Sequence, residues 1–249
     1  MIHPTAIVEP GAVIGAGCEI HAYAIITRHA ILGDGVKVHP FAVVGGDSQD
    51  LKFDPAIASG VRVGAGTCIR ESVTINRSTH AGTCTEVGEK CLLMACSHVA
   101  HDCVVGREVV VANGVLLAGH VHVGNHAILG GASLYHQFMR VGEGVMISGG
   151  ARFTMDLPPF ILAAERNEVI GLNLIGLRRR GVSREAIQEL KQAFRTVYFT
   201  PGSITGVAAE ALASGSYASP EARRFLEFFS GSKRGFARAR NAGDSPDGE

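Results

Sequence analysis

His98-Val99-Ala100-His101-Asp102-Cys103 brings two imidazoles and one carboxylate into a single hexapeptide. Gly119-His120-Val121-His122 follows, and after it His136-Gln137. These are residue types for moving protons. Imidazole titrates near neutrality and suits a general base, and a neighbouring carboxylate can hold its tautomer and stabilise the imidazolium that forms. His101, with Asp102 and His98 beside it, is the candidate base. His3, His21, His29, His39, His80 and His126 lack such company and read as solvent-facing polar residues.

Positioning these groups falls to a repeat of six. Aliphatic residues recur at Ile2, Val8, Ile14, Ile20, Ile26, Leu32, Val38 and Val44, then at Val63, Ile69 and Ile75. They run on from Val87 through Val105, Val123 and Val141 to Ile147, with Tyr135 the one non-aliphatic member. Four residues after each sits a small or β-branched one, such as Ala24, Cys91, Cys103 or Ala127, with Met139 the large exception. Neither a 3.6- nor a 2-residue period describes this pattern, whereas a parallel β-helix does: each hexad is a short strand and a corner. With three hexads to a coil, His101 stacks on Gly119 and Asp102 on His120, so two imidazoles and a carboxylate share one wall. Val87, Val105, Val123 and Val141 then form an interior ladder. Cys18, Cys91 and Cys103 fall on the small interior position and read as core.

The distribution of bulk agrees. All 11 His lie at or before position 136, whereas eight of the 11 Phe lie after 152, and Trp is absent. The expected organisation is a β-helix over 1–152 and a linking segment over 153–182. A helical domain over 183–240 and a polar, disordered tail over 241–249 follow. The repeat breaks at 46–62 and 76–86, where insertions should leave the solenoid as loops. Ser183 reads as an N-cap before Ala186, Ile187, Leu190, Ala193, Phe194 and Val197 at helical spacing. Two more helices are expected at about 203–213 and about 220–229, after Pro201-Gly202 and at Ser219-Pro220.

Charge excludes several functions. The 249 residues carry 23 basic and 23 acidic side chains, with a pI near 7.2. That balance gives no footprint for nucleic-acid or membrane-surface binding. Mean hydropathy is +0.20, yet no apolar run reaches the roughly 18 residues of a membrane span. No basic segment followed by an apolar core opens the chain, and six Cys without a CxxC pair suit a reducing compartment; a cytoplasmic location is expected.

Six motifs in order carry a family resemblance. They are Gln49-Asp50-Leu51-Lys52, Arg70 to Ile75, His98 to Cys103, Leu117 to Val121, His136-Gln137-Phe138 and Gly176 to Gly181. Together they resemble the acyl-ACP:UDP-N-acetylglucosamine O-acyltransferases, which open lipid A synthesis. The resemblance implies a mainly β fold, a left-handed parallel β-helix of hexapeptide repeats with a C-terminal α-helical domain. It implies a homotrimer with sites at subunit interfaces, acyl carrier protein and a UDP-sugar as partners, and no cofactor. His101 would be the base for the sugar 3-hydroxyl, Asp102 its orienting partner and the Gly119 N–H the oxyanion donor. Gln49, Asp50, His98, His120, His136 and Gln137 would line the sugar and phosphate site. Lys52 would reach the diphosphate, and Asn173, Arg179 and Arg180 the UDP portion. Gly149 matches the family's acyl-length position, where glycine leaves room for a long chain. One departure stands out: Ile175 replaces a family glutamate that accepts hydrogen bonds from the nucleoside. The alternatives are a same-fold acyltransferase for another nucleotide sugar or a 3-amino sugar, and a non-catalytic scaffold. A zinc site of the hexapeptide-repeat carbonic anhydrase kind does not match, because the position five after His136 is Val141.

Overall fold

A computed structural model describes residues 1–240; the tail expected at 241–249 lies outside the described residues. Each coil gives one short strand to each of three sheets of eight, seven and ten strands. The eight-stranded sheet runs from Ile7–Val8 through Thr74–Asn76, His98–Val99, Leu116–Leu117 and Leu134–Tyr135 to Arg152–Phe153. Pairing within the solenoid is parallel, with His98 beside Leu116, Leu116 beside Leu134, and Leu134 beside Arg152. The expected valine ladder forms, Val87 on Val105, Val105 on Val123 and Val123 on Val141. Its members are buried, as are the small residues four positions on. Each buried aliphatic side chain contributes about 1.5–3 kcal/mol. The stack is therefore a stiff support for whatever its corners carry.

The second corner residue adopts left-handed backbone angles even where it is not glycine. Asp102 has φ 60° and His120 φ 61°, but so do Lys90 at 53° and Glu108 at 54°. The conformation belongs to the coil, so it is no mark of strain special to the histidine wall. Cys18, Cys91 and Cys103 are interior, each thiol donating to a carbonyl, those of Gly33, Gly106 and Ala118 at 3.2, 3.0 and 3.1 Å. Burial pushes the Cys103 thiol up to about 12, which removes a thiolate nucleophile from beside His101.

The solenoid extends beyond the boundary expected at 152. Phe153 stacks on Tyr135, ring centroids 5.7 Å apart, and keeps the six-residue step. The next pairs, Val141 with Leu157 and Ile147 with Ala163, close the coil two residues early around Pro158-Pro159. That shortened step hides the last coil from a search for sixes. The linking segment is likewise regular: Ile161–Ala164 and Glu168–Leu172 form an antiparallel pair, followed by α1, Leu174–Arg179. Helices α2 (Arg184–Phe199), α3 (Ile204–Ala213) and α4 (Pro220–Glu227) begin at the capping serines Ser183, Ser203 and Ser219. α4 ends at Glu227, short of the expected 229. Buried Leu190, Val197, Ala208 and Phe225 lie within these helices, and the late phenylalanines pack edge to face, Phe225 and Phe229 at 5.1 Å and 76°.

Candidate active site

His101 and Asp102 occupy the corner after strand His98–Val99, and Gly119 and His120 the corner one coil on. The His101 Nδ1 lies 2.8 Å from Asp102 Oδ2, and both side chains are largely buried. Donation by Nδ1–H leaves the lone pair on Nε2, the state of a general base. His120 lies 3.7 Å from the same oxygen and meets the His101 ring edge-on at 5.1 Å.

Burial alone would raise the Asp102 pKa. Hydrogen bonds from the Ser78 hydroxyl, from the Thr79 hydroxyl at 2.6 Å, from His101 and from the Thr79 N–H outweigh it. The carboxyl is held well below its usual range, so it stays ionised wherever imidazole titrates. Burial lowers the pKa of His98 and His120, in His120 against the opposing pull of Asp102. His98 Nδ1 is tied to Thr74 Oγ1 at 2.7 Å.

His101, Asp102 and His120 each bring one ligand atom within 4.8 Å of the others, close enough to suggest a cation. The carboxylate does not suit one. A carboxylate offers about four lone-pair sites, and here two hydroxyls, an N–H and the His101 imidazole take them, with His80 Nδ1, whose sequence setting had not suggested it, 3.4 Å from Oδ1.

Gly119 shows why stacking matters. A Cβ on it would lie 2.5 Å from both Cε1 and Nε2 of His101. Only a bare Cα lets the ring lie there. The Gly119 N–H makes no hydrogen bond to another backbone group among the described residues, leaving a donor beside the base.

A cavity of about 710 Å³ opens at this corner. Gln49, Asp50, His98, His101, Gly119, His136 and Gln137 line it, together with Leu116, Leu134 and Phe153. Seven of the expected residues are thus gathered at one opening, with Asp102 and His120 directly behind. The single chain does not bring the others there. Lys52 stands exposed on the 47–59 loop, its N–H donating to Asp50 Oδ1 at 2.9 Å. Gly149 sits at the corner leading into strand Arg152–Phe153, at the far edge of the sheet that carries His98. Arg179 is exposed at the end of α1, and Arg180 lines a separate cleft with Arg107, Glu143, Phe160 and Arg224. Asn173 is buried, and half of its amide's hydrogen-bonding capacity is used within the chain. Oδ1 caps α1 by accepting from Gly176 at 2.9 Å, and Nδ2 donates to the Gly144 carbonyl at 3.0 Å. These two bonds place α1 and leave an Nδ2–H and an Oδ1 lone pair for another partner.

Sequence reasoning passed over two groups. Leu116 and Leu134 face outward, 46% and 38% exposed, and continue the row of His98 as an apolar strip. Their signal was an apolar residue at an outward position. Ser78 and Thr79 lie in the second insertion, whose polarity had marked it only as a loop.

Comparison with known proteins places this geometry. Residues 84–119 match the bacterial transferase hexapeptide family, six repeats. Residues 156–237 match domain 2 of the UDP N-acetylglucosamine O-acyltransferases. An acyl-[acyl-carrier-protein]–UDP-N-acetylglucosamine O-acyltransferase of Synechocystis is 46% identical over 156 residues, a stretch covering 62% of this chain and 56% of that relative's length. The enzyme of that name from Campylobacter concisus is 36% identical over 235 residues, 86% of this chain and 89% of the relative. The solved UDP-N-acetylglucosamine acyltransferase of Bacteroides fragilis, 37% identical, superposes with a TM-score of 0.86 over 96% of this chain and all of that one. With the fold matched almost end to end, and the left-handed coil with it, this chain belongs to the acyl-ACP–UDP-N-acetylglucosamine O-acyltransferase family.

Proposed function

We propose that the protein transfers a 3-hydroxyacyl chain from acyl carrier protein to the 3-hydroxyl of UDP-N-acetylglucosamine, the first step of lipid A synthesis, in the cytoplasm. One observation carries the chemistry: an imidazole oriented by a buried carboxylate, against a glycine whose N–H is available, in a cavity that is polar on one side and apolar on the other. Nε2 of His101 takes the hydroxyl proton as the oxygen attacks the thioester carbon. The Gly119 N–H receives the oxyanion, a donor typically worth about 3 kcal/mol. Collapse breaks the C–S bond, and the imidazolium returns its proton to the departing sulfur. Leu116 and Leu134 offer the acyl chain an apolar track, with Gly149 leaving its far edge open. Gln49, Asp50, His98, His120, His136 and Gln137 surround the sugar. Release of carrier thiol, dependent on UDP-N-acetylglucosamine, tests this reading; no release above the rate without acceptor contradicts it.

Lys52, Arg179 and Arg180 enter the site from a neighbouring subunit of a homotrimer. The support is their position, exposed and away from the same chain's cavity, together with the outward apolar residues Val104, Ile128 and Met146 on the other two faces. Sedimentation is expected to give a trimer, and a fully active monomer would refute shared sites.

Ile175 modifies acceptor binding. It is 62% exposed on α1, near Arg179 in sequence, where the family pattern has a hydrogen-bond acceptor. Ile175→Glu is expected to tighten UDP-N-acetylglucosamine binding about 10-fold, the worth of one charge-assisted hydrogen bond. Calorimetry with UDP-, dTDP- and GDP-sugars checks it, and preference for a non-uridine nucleotide would point to the same-fold alternative.

A further inference from the structure

Arg77 is among the largest fully buried side chains, 1% exposed, and with Asp156 is one of two buried charged residues among the described ones. It stands at the start of the second insertion, yet every group it binds belongs to the first. Nε donates to Asp47 Oδ1 at 2.8 Å, Nη1 to the Ile57 carbonyl at 2.6 Å and Nη2 to the Pro55 carbonyl at 2.7 Å. The guanidinium lies 4.7 Å over the Phe53 ring. Residues 47–59 contain no helix or strand of their own, so this fork supplies much of what fixes their path. Gln49 and Asp50, between the Asp47 and Phe53 contacts of Arg77, line the cavity.

The next two residues face the other way. Ser78 and Thr79 hold Asp102 through their hydroxyls, and the Ser78 carbonyl accepts from Ser59 at 2.5 Å. Three consecutive residues therefore join the acceptor-side loop to the carboxylate behind the base.

We propose that Arg77 is a positioning residue for acceptor binding, setting the 47–59 loop at a fixed distance from the His101–Asp102 pair. The role rests on the acyl transfer proposed above. A planar fork with five N–H donors satisfies separated carbonyls that an ammonium cannot reach together. The loop wall touches the acceptor but no reacting atom. Loosening it therefore weakens ground-state and transition-state binding alike and raises KM without lowering kcat.

Steady-state kinetics with both substrates varied, joined to hydrogen exchange of the whole protein, tests the role. Arg77→Met should raise the acceptor KM at least about 10-fold, keep kcat and the acyl-ACP KM within about 3-fold, and speed exchange across 47–59. Arg77→Lys should recover part of the loss. Phe53→Leu, which strands no buried charge, should raise the acceptor KM about 3-fold and decides the matter if Arg77→Met does not fold. Thr79→Val is the contrast, lowering kcat with the acceptor KM unchanged. An acceptor KM unaltered in Arg77→Met and Phe53→Leu, or a fall in kcat alone, overturns the proposal. Wild-type protein without turnover overturns the acyl-transfer reading instead. The exchange measurement still judges Arg77 in that case, and an unchanged 47–59 loop in Arg77→Met, or in Phe53→Leu if Arg77→Met does not fold, refutes its role.

Discussion

His101→Ala is expected to lower kcat at least about 100-fold while leaving the fold intact, because in the proposed transfer its imidazole takes the hydroxyl proton. Two neighbouring rings are poorly placed to replace it. His98 is committed to Thr74 at 2.7 Å, and His120 stands 3.7 Å from Asp102 without the close Nδ1 contact that sets the tautomer of His101. The fold should survive because the His101 side chain sits at a corner, outside the ladder of Val99, Leu117 and Tyr135 that fills the coil. Single-turnover kinetics beside a thermal melt provide the check. An unchanged melt with near-normal turnover would remove His101 from the mechanism.

Gly119→Ala carries the second large effect. The added methyl meets Cε1 and Nε2 of His101 at 2.5 Å, inside any ordinary contact distance. Either the ring turns, breaking its 2.8 Å bond to Asp102, or the corner shifts and carries the oxyanion donor away. A misplacement of about 1 Å in such a constellation costs on the order of 100-fold in rate, and kcat should fall by that amount. Backbone strain is not the cause, since Gly119 lies outside the left-handed region that its neighbour His120 adopts. The two substitutions act through one imidazole, so the double variant should be little slower than His101→Ala alone. A kcat for Gly119→Ala within about 3-fold of wild type would contradict the contact. Multiplicative losses in the double variant would contradict the shared mechanism.

The coil was legible because its period is strict: one aliphatic residue in six marks the interior, and stacking at three hexads sets His101 against Gly119. The last coil was not legible, because Pro158-Pro159 closes it two residues early and Phe153 supplies bulk that looked like a change of domain. The same limit hid the support of the site. Arg77, Ser78 and Thr79 lie outside the repeat, and nothing in their spacing says that a loop folds back onto Asp102 or that a buried guanidinium gathers carbonyls from residues 55 and 57. Asn173 carries a further duty that its motif does not announce. Its side chain caps the helix on which that motif rides.

The central claim is acyl transfer to the 3-oxygen of a UDP-sugar, and mass spectrometry of the product tests it most directly. The purified protein would be incubated with acyl-ACPs of several lengths, with and without the 3-hydroxyl, and with UDP-N-acetylglucosamine beside its 3-amino analogue. The account predicts UDP-N-acetylglucosamine carrying a single hydroxyacyl group, fragmenting as a 3-O-ester, formed with wild type and nearly absent with His101→Ala. Acylation of the 3-amino analogue alone, or no acylated nucleotide sugar with any donor, would contradict it.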